Sequence, residues 1–286
     1  GRIVMNVNSK YVAFQAAAQK ITVDWGDGNT EDFTPNGEMR YFEHGYENEN
    51  LQKITVKTEE LTELKVINQH CVELTFGECP TLESLNCSSN QLTSLDVSKC
   101  TALDYLYCSS NQLTGLDVSK CTALVGFNCG GNQLTSLDVS KFTALTWFGC
   151  AGNQLTSLDV SNCTVLEKLN CEKNQLTNLD VSNFTDLAEL DCSDNQLTSL
   201  DVSNCTVLRV LGCRNNQLTS LDISNCTALR VLGCRDNQLS ASALNSLFNT
   251  LLSLPYGKGG IISIINNPGS NDCDKSIAKN KGWEVD

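Results

Sequence analysis

Apolar and polar positions alternate along short segments that return at a constant interval. In Leu106-Tyr107-Cys108 the two outer residues face one way and the middle residue faces the other, which predicts a strand with one buried face. Each such segment is followed by the string Asn-Gln-Leu, whose asparagine recurs every 21 residues at positions 90, 111, 132, 153, 174, 195, 216 and 237. We therefore predict a stack of coils, in which each coil buries its apolar face against its neighbours.

The repeat identifies a family of folds. Each unit reads L-x-x-L-x-C-x-x-N-x-L-x-x-L, and a degenerate unit from Leu61 to Cys79 keeps the same phase. Over residues 59–239 this pattern resembles the leucine-rich-repeat signature. The resemblance implies a mostly β, right-handed leucine-rich-repeat solenoid, with a parallel sheet on the concave face and an extended or 3-10 convex side. The chain also resembles bacterial surface proteins of the internalin type, although its 21-residue unit is rich in cysteine.

Residues 1–58 lack the repeat and are predicted to form a small β domain or cap. Ile21–Trp25 reads as a strand, and a hairpin turn follows it at Gly26–Asn29. The segments Val-Asp-Trp-Gly-Asp-Gly at 23–28 and His-Gly-Tyr at 44–46 resemble marks of PKD-type β-sandwich modules. The alternative is a plain β cap that covers the first coil.

Residues 240–286 are predicted to close the other end as an α/β cap, because a stack of coils needs both ends covered. Apolar residues at helical spacing follow Ser240 and Ser242, either of which would cap a helix. Ile261–Ile265 predicts a further strand, and Cys273–Lys281 predicts a short helix.

Most of the 16 cysteines fall at two fixed positions of the repeat. One column is Cys87, Cys108, Cys129, Cys150, Cys171, Cys192, Cys213 and Cys234. The other is Cys79, Cys100, Cys121, Cys163, Cys205 and Cys226, with Phe142 and Phe184 in its gaps. A position that accepts cysteine or phenylalanine needs a buried apolar group. We therefore favour free buried thiols over disulfides or a metal site, because the Cβ atoms of in-register neighbours run side by side.

Two polar columns accompany the strands. The asparagine of each Asn-Gln-Leu string is predicted to satisfy turn amides inside the coil. An aspartate column recurs at positions 96, 117, 138, 159, 180, 201 and 222. Its carboxylates either accept hydrogen bonds from nearby backbone and serine groups or bind calcium, although the glycine-rich nonapeptide of calcium-binding β-rolls is absent from the sequence.

The outward positions of the strands vary from coil to coil while the frame stays constant, so we expect ligands to bind there. Tyr105, Tyr107 and Trp147 flank a glycine-lined dip, where they would stack on a sugar ring or anchor a protein partner. Glu189 and Asp191 form an acidic step beside two arginines. The candidate ligand-binding residues are Tyr105, Tyr107, Trp147, Asn128, Lys168, Asn170, Glu189, Asp191, Arg214 and Arg235.

Charge and motifs exclude several classes of function. The net charge of 20 − 33 = −13 argues against a nucleic acid or an anionic membrane surface as the partner. No run of 18 apolar residues is present in the sequence, so no membrane-spanning segment is predicted. With two histidines and no phosphate-loop or dinucleotide motif, we expect no enzyme activity, no catalytic residue, no metal and no cofactor.

The sequence therefore predicts a non-catalytic binding protein, secreted or at the bacterial cell surface, that engages a protein partner through the concave sheet face. The alternatives are a carbohydrate-binding module in glycan capture and a structural spacer. Because the chain begins at Gly1 and not at methionine, we expect that a leader peptide has been removed.

Overall fold

The computed structural model describes residues 1–254 and 259–286, which form two compact units, Gly1–Phe142 and Thr143–Asp286. The described residues are mostly strands and turns, as predicted. The domain boundaries predicted at 58/59 and 239/240 remain predictions.

The first unit begins with six antiparallel strands. They are β1 (Arg2–Asn8), β2 (Tyr11–Ala17), β3 (Lys20–Asp24), β4 (Thr30–Phe33), β5 (Met39–Gly45) and β6 (Leu51–Glu59). Four of them form a sheet with a later strand, β8 (Cys71–Phe76), in the order β4-β3-β6-β1-β8. The strand predicted at Ile21–Trp25 is β3, and its hairpin partner is β4.

The other two N-terminal strands join the sheet of the repeats. Within the first unit this sheet has the order β5-β2-β7-β9-β10-β11, where the strands of the coils are β7 (Glu63–Lys65), β9 (Ser84–Asn86), β10 (Tyr105–Tyr107) and β11 (Gly126–Asn128). Ala16 of β2 pairs with Leu64 of β7, which in turn pairs with Leu85 of β9. The face of the repeat strands therefore continues onto β2 and β5.

Aromatic packing holds the N-terminal strands together. The ring of Phe14 stacks on that of Phe42 with centroids 4.9 Å apart, and Trp25 stacks on His44 at the same distance. The hydroxyl of Tyr46 donates a hydrogen bond to the carbonyl of Trp25 at 2.8 Å. These contacts bring the tryptophan, histidine and tyrosine of the two motif segments together, while the likeness to PKD-type modules stays a prediction.

The second unit continues the coils and adds two helices among its described residues. Its strands are β12 (Trp147–Gly149), β13 (Lys168–Asn170), β14 (Glu189–Asp191), β15 (Val210–Gly212), β16 (Val231–Gly233), β17 (Gly260–Ser263) and β18 (Trp283–Val285), each parallel to the next. Helix α1 (Ala241–Thr250) is capped by Ser240, whose hydroxyl accepts from the N–H of Ala243 at 3.2 Å. Helix α2 (Ser276–Lys279) is shorter than the predicted Cys273–Lys281, because it begins only after a turn in which Oδ1 of Asp274 accepts from the N–H of Ser276 at 3.0 Å.

The asparagine of each coil is buried and bonded as the sequence predicts. In the coil of Asn132, the side-chain Nδ2 donates to the carbonyls of Cys129 and of Cys108 in the preceding coil, at 2.9 and 3.1 Å. Its Oδ1 accepts from the N–H of Leu113 at 3.0 Å. One side chain thus satisfies three backbone groups of two adjacent coils.

The cysteines of both columns are buried and free of disulfides. In the second column several thiols point at a carbonyl of the preceding coil, as Cys205 does at Val181 (3.7 Å) and Cys226 at Val202 (3.5 Å). Burial raises the pKa of Cys108 to about 12 and that of Cys121 to about 11. These thiols act as small apolar core groups, and those that point at a carbonyl add a weak donor to an oxygen that already accepts a backbone bond, as Val181 does from Phe184 and Val202 from Cys205.

The aspartate column lies on the exposed return segments, away from the strands. The Oδ1 of Asp117 accepts from the N–H of Ser119 at 2.9 Å, and the same bond recurs in the other coils. Hydrogen bonds from the backbone and side chain of Ser119 lower the pKa of Asp117. The sequence left two roles open for these carboxylates, and the structure shows the local hydrogen bonds. Residues 1–254 and 259–286 contain no group of three or more His, Cys, Asp or Glu side chains that could hold a metal ion.

We expect Asn132→Ala to lower the free energy of unfolding by about 2–4 kcal/mol, because it leaves buried backbone groups without partners. Urea denaturation measures this change. The neighbouring Gln133 has an exposed side chain and is the matched control, so Gln133→Ala should change stability by less than about 0.5 kcal/mol. Equal effects of the two variants would contradict the role given to the asparagine.

We expect the fifteen buried thiols to resist a thiol reagent in the folded protein and all 16 to react after unfolding. The unfolded chain releases its thiol protons near pH 8.5, as cysteines ordinarily do, whereas the buried groups keep theirs. Stability contributed by these groups is therefore complete below about pH 8.5 and is lost as the pH rises toward about 11 to 12. Reagent titration and thermal melting across this range measure both effects, and rapid labelling of more than one thiol in the folded protein would contradict the first.

Candidate functional site

The outward face of strands β12 to β16 carries a groove of about 400 Å³ in the second unit. Strand pairing sets its rows, because residues opposite each other on neighbouring strands point to the same side. One row runs from Lys168 through Glu189 and Val210 to Val231. The next row runs from Asn170 through Asp191 to two glycines. The lining residues are Trp147, Lys168, Leu169, Asn170, Glu189, Leu190, Asp191, Ser193, Val210, Leu211, Gly212, Arg214, Val231 and Gly233.

One side of the groove is apolar and its floor is backbone. Val210 and Val231 face each other on adjacent strands, and each is 39 % exposed. Gly212 and Gly233 follow two residues later and form the floor. A Cβ added at Gly212 would lie 2.7 Å from Oδ1 of Asp191, so the aspartate side chain lies over this glycine. A Cβ at Gly233 would meet its nearest atom at 4.0 Å, so the floor is open there.

Charged side chains border the groove in pairs. Lys168 Nζ lies 2.8 Å from Glu189 Oε1, and both side chains are about half exposed. Arg214 Nη2 lies 3.2 Å from Glu172 Oε1 and 3.1 Å from Asp194 Oδ2. The half-exposed Lys168–Glu189 pair contributes little to stability, so its charges are available to a partner at modest cost, whereas the pairs of Arg214 are partly buried.

Three predicted ligand-binding residues also have a role in the backbone. The side-chain Oδ1 of Asn128, Asn170 and Asp191 each accepts from the N–H two residues later, at 2.9, 3.0 and 3.0 Å. This bond closes an Asx turn after the strand. Sequence reasoning missed this role, although the recurrence of Asn or Asp at this position in several coils was a signal for it.

The two tyrosines of the predicted cluster lie in the first unit. Tyr105 is 41 % exposed and Tyr107 is half-buried, with ring centroids 6.3 Å apart. Both rings lie over Gly126, where an added Cβ would come within 2.8 Å of the Tyr105 ring and 3.3 Å of the Tyr107 hydroxyl. Neither ring is packed inside the core.

The remaining candidates divide between the two units. Trp147, half-buried, lines the groove of the second unit, so its predicted grouping with Tyr105 and Tyr107 stays a prediction. Arg235 pairs with Asp236 at 3.7 Å and is not among the groove residues. The sequence predicts outward positions for the two valines and two glycines of the groove, but they are not among its candidate ligand-binding residues. The signal for the valines was an apolar residue at an outward strand position where the preceding coils have Lys168 and Glu189.

Comparison with known proteins supports this architecture. The leucine-rich-repeat family, described as two copies of the repeat, matches residues 80–121. The functional domain of InlJ from Listeria monocytogenes, which includes a cysteine ladder, superposes with a TM-score of 0.58 at 29 % identity, over 78 % of this chain and 59 % of that one. A search of curated proteins found no significant match.

Two further structures are similar in fold. The leucine-rich-repeat ectodomain of the receptor kinase GASSHO1/SCHENGEN3 from Arabidopsis thaliana, in complex with CASPARIAN STRIP INTEGRITY FACTOR 2, has a TM-score of 0.58 at 24 % identity, over 72 % of this chain and 27 % of that one. The octameric complex of Latrophilin 3, Unc5D and the leucine-rich repeats of FLRT2 gives 0.54 at 20 % identity, over 66 % and 63 %. The chain thus spans less than two thirds of the length of each of these structures.

The chain has the leucine-rich-repeat fold. Its coils, with their ladder of buried cysteines, are similar to those of the internalin-like domain of InlJ. Proteins of this fold are generally non-catalytic modules that bind protein partners, which supports a binding role. No helix in the part of the chain that the structure describes has the length and apolar character needed to cross a membrane.

The glycine floor gives a matched pair of substitutions. We expect Gly212→Ala to lower the free energy of unfolding by about 1–2 kcal/mol, because its methyl group displaces the Asp191 side chain and weakens its turn bond. Gly233→Ala meets open space and should be neutral or slightly stabilising. Chemical denaturation measures both, and a cost at Gly233 equal to that at Gly212 would contradict the described geometry.

Proposed function

We propose that this protein is a non-catalytic binding protein, secreted or held at a bacterial cell surface, that engages a protein partner through the groove of the second unit. The observation that carries the proposal is the composition of that groove. A wall of two half-exposed valines and a backbone floor are bordered by charged pairs. An apolar centre with a polar rim is the usual arrangement of a protein-binding surface.

The chemistry of the groove favours a particular mode of binding. An apolar side chain of the partner would pack against the wall formed by Val210 and Val231 and rest on Gly233, where no side chain blocks it. The carboxylates of Glu189 and Asp191 and the guanidinium of Arg214 would then fix its orientation by charge. Trp147 lines the groove and supplies the large aromatic surface that often dominates binding energy.

The comparisons support both parts of this proposal. The similarity to InlJ, whose domain includes a cysteine ladder, favours a bacterial surface location. The complexes of GASSHO1/SCHENGEN3 and of FLRT2 show that leucine-rich-repeat proteins with this fold have protein partners. The net charge of −13 further favours a partner with basic groups over nucleic acid.

A pair of valines tests the groove directly. Val210 lies in it and Val207 outside it, and both are 39 % exposed, so their substitution should perturb the fold equally. We expect Val210→Glu to weaken a purified partner's binding by about tenfold or more, and Val207→Glu to leave it unchanged.

The partner is first recovered from cell-surface extracts with the wild-type chain, and its affinity for each variant is then measured with purified components. If Val207→Glu weakens binding as much as Val210→Glu, or if neither does, the partner does not use this groove.

A further inference from the structure

The first unit has an outward sheet face of a different chemistry. It is formed by β5, β2, β7, β9 and β10, and therefore joins two N-terminal strands to the first coils. Because pairing fixes which residues share a row, one row of this face reads Tyr41, Gln15, Lys65, Asn86 and Tyr107. A tyrosine thus stands at each end of the row, and two amides and one lysine lie between them.

Both ends of this face carry tyrosine pairs. Tyr41 is 53 % exposed and Tyr11 50 %, and their hydroxyls are 3.4 Å apart. The hydroxyl of Tyr11 also donates to Glu43, which fixes its ring. At the other end Tyr105 and Tyr107 lie over Gly126, and four strand steps of about 4.8 Å put the backbones of Tyr41 and Tyr107 about 19 Å apart.

A depression of about 160 Å³ lies beside Tyr41. Its floor includes Ala13, whose N–H donates to Oε1 of Gln69 at 2.7 Å, while Nε2 of that glutamine donates to the carbonyl of Ile67 at 2.8 Å. A glutamine held at both ends keeps the depression in shape. Gln15 and Lys65 also line it.

Charge on this face is sparse within the described strands and carries no excess of positive groups. Lys65 Nζ lies 2.7 Å from Glu63 Oε1, and Glu43 accepts the bond from Tyr11. The groove of the second unit, in contrast, is bordered by charged pairs and walled by valines. A ligand matched to the face of the first unit is uncharged, offers flat apolar surfaces to tyrosine rings, and exchanges hydrogen bonds with amides.

We propose that this face, named here the tyrosine face (Tyr11, Tyr41, Gln15, Asn86, Tyr105 and Tyr107), binds a neutral oligosaccharide. Each tyrosine pair stacks on the apolar side of a sugar ring, and the amides between them bond to the hydroxyls of the intervening rings. The ligand runs across the strands, from the N-terminal strands to the coil of Tyr107. This site is separate from the groove proposed for a protein partner.

The experiment is isothermal titration of the full chain with cellohexaose, laminarihexaose, xylohexaose and mannohexaose, and with an oligogalacturonate as the anionic probe. We expect at least one neutral hexasaccharide to bind and the oligogalacturonate not to bind. Tyr41→Ala and Tyr107→Ala should each weaken that binding by about tenfold or more, while Tyr41→Phe, which keeps the ring, retains most of it. A disaccharide of the same sugar is too short to reach both tyrosine pairs and should bind much more weakly.

Two controls separate this site from other effects. Leu51→Ala removes an exposed side chain (56 % exposed) from the other sheet of the unit, and Val210→Glu alters the groove of the second unit, so neither should change sugar binding. Thermal melting of the tyrosine variants checks that they fold. The proposal is overturned if no neutral probe binds, if the anionic probe is preferred, or if folded Tyr41→Ala and Tyr107→Ala bind as the wild type does.

Discussion

A buried asparagine side chain connects each coil of the repeat to the coil before it. In the coil of Asn195, Nδ2 donates to the carbonyls of Cys192 and of Cys171, both at 3.0 Å, and Oδ1 accepts from the N–H of Leu176 at 3.0 Å. Inserting one residue in a coil would move the backbone groups away from this side chain and leave them buried without partners. This requirement explains why eight asparagines recur at 21-residue intervals without an insertion.

With the spacing of the coils fixed, few residue types fit the interior positions, whereas the outward positions accept many. The core positions hold thiols whose size suits a narrow coil, and the larger ring of Phe142 packs edge-on against Phe127 with centroids 6.2 Å apart. The outward positions face only solvent or a ligand. The first unit places tyrosines and amides there, and the second places valines, glycines and paired charges. The same repeat backbone therefore carries two surfaces of different chemistry.

The repeat was predictable because its signal is periodic and local, and the structure places Leu85, Leu106 and Leu169 at the buried strand position that the pattern assigns. Strand β2 was not predictable from its own residues. The alanines of Tyr11–Ala17 have weak strand propensity, and the strand exists because it pairs with β5 on one side and β7 on the other. Such non-local pairing leaves no period in the sequence. For the same reason the tyrosines of β2 and β5 could not be assigned to the face that carries Tyr105 and Tyr107.

The residue before the first-column cysteine shows how structure and binding share one position. Where it is Asn128, Asn170 or Asp191, its oxygen closes the turn and its side chain occupies the surface. Where it is Gly212 or Gly233, no side chain makes that bond, and backbone is exposed beneath the groove. The open floor of the groove therefore lies at two coils that do without the turn bond. A loss of local stabilisation at those coils gives the second unit a floor on which an apolar side chain of a partner can rest.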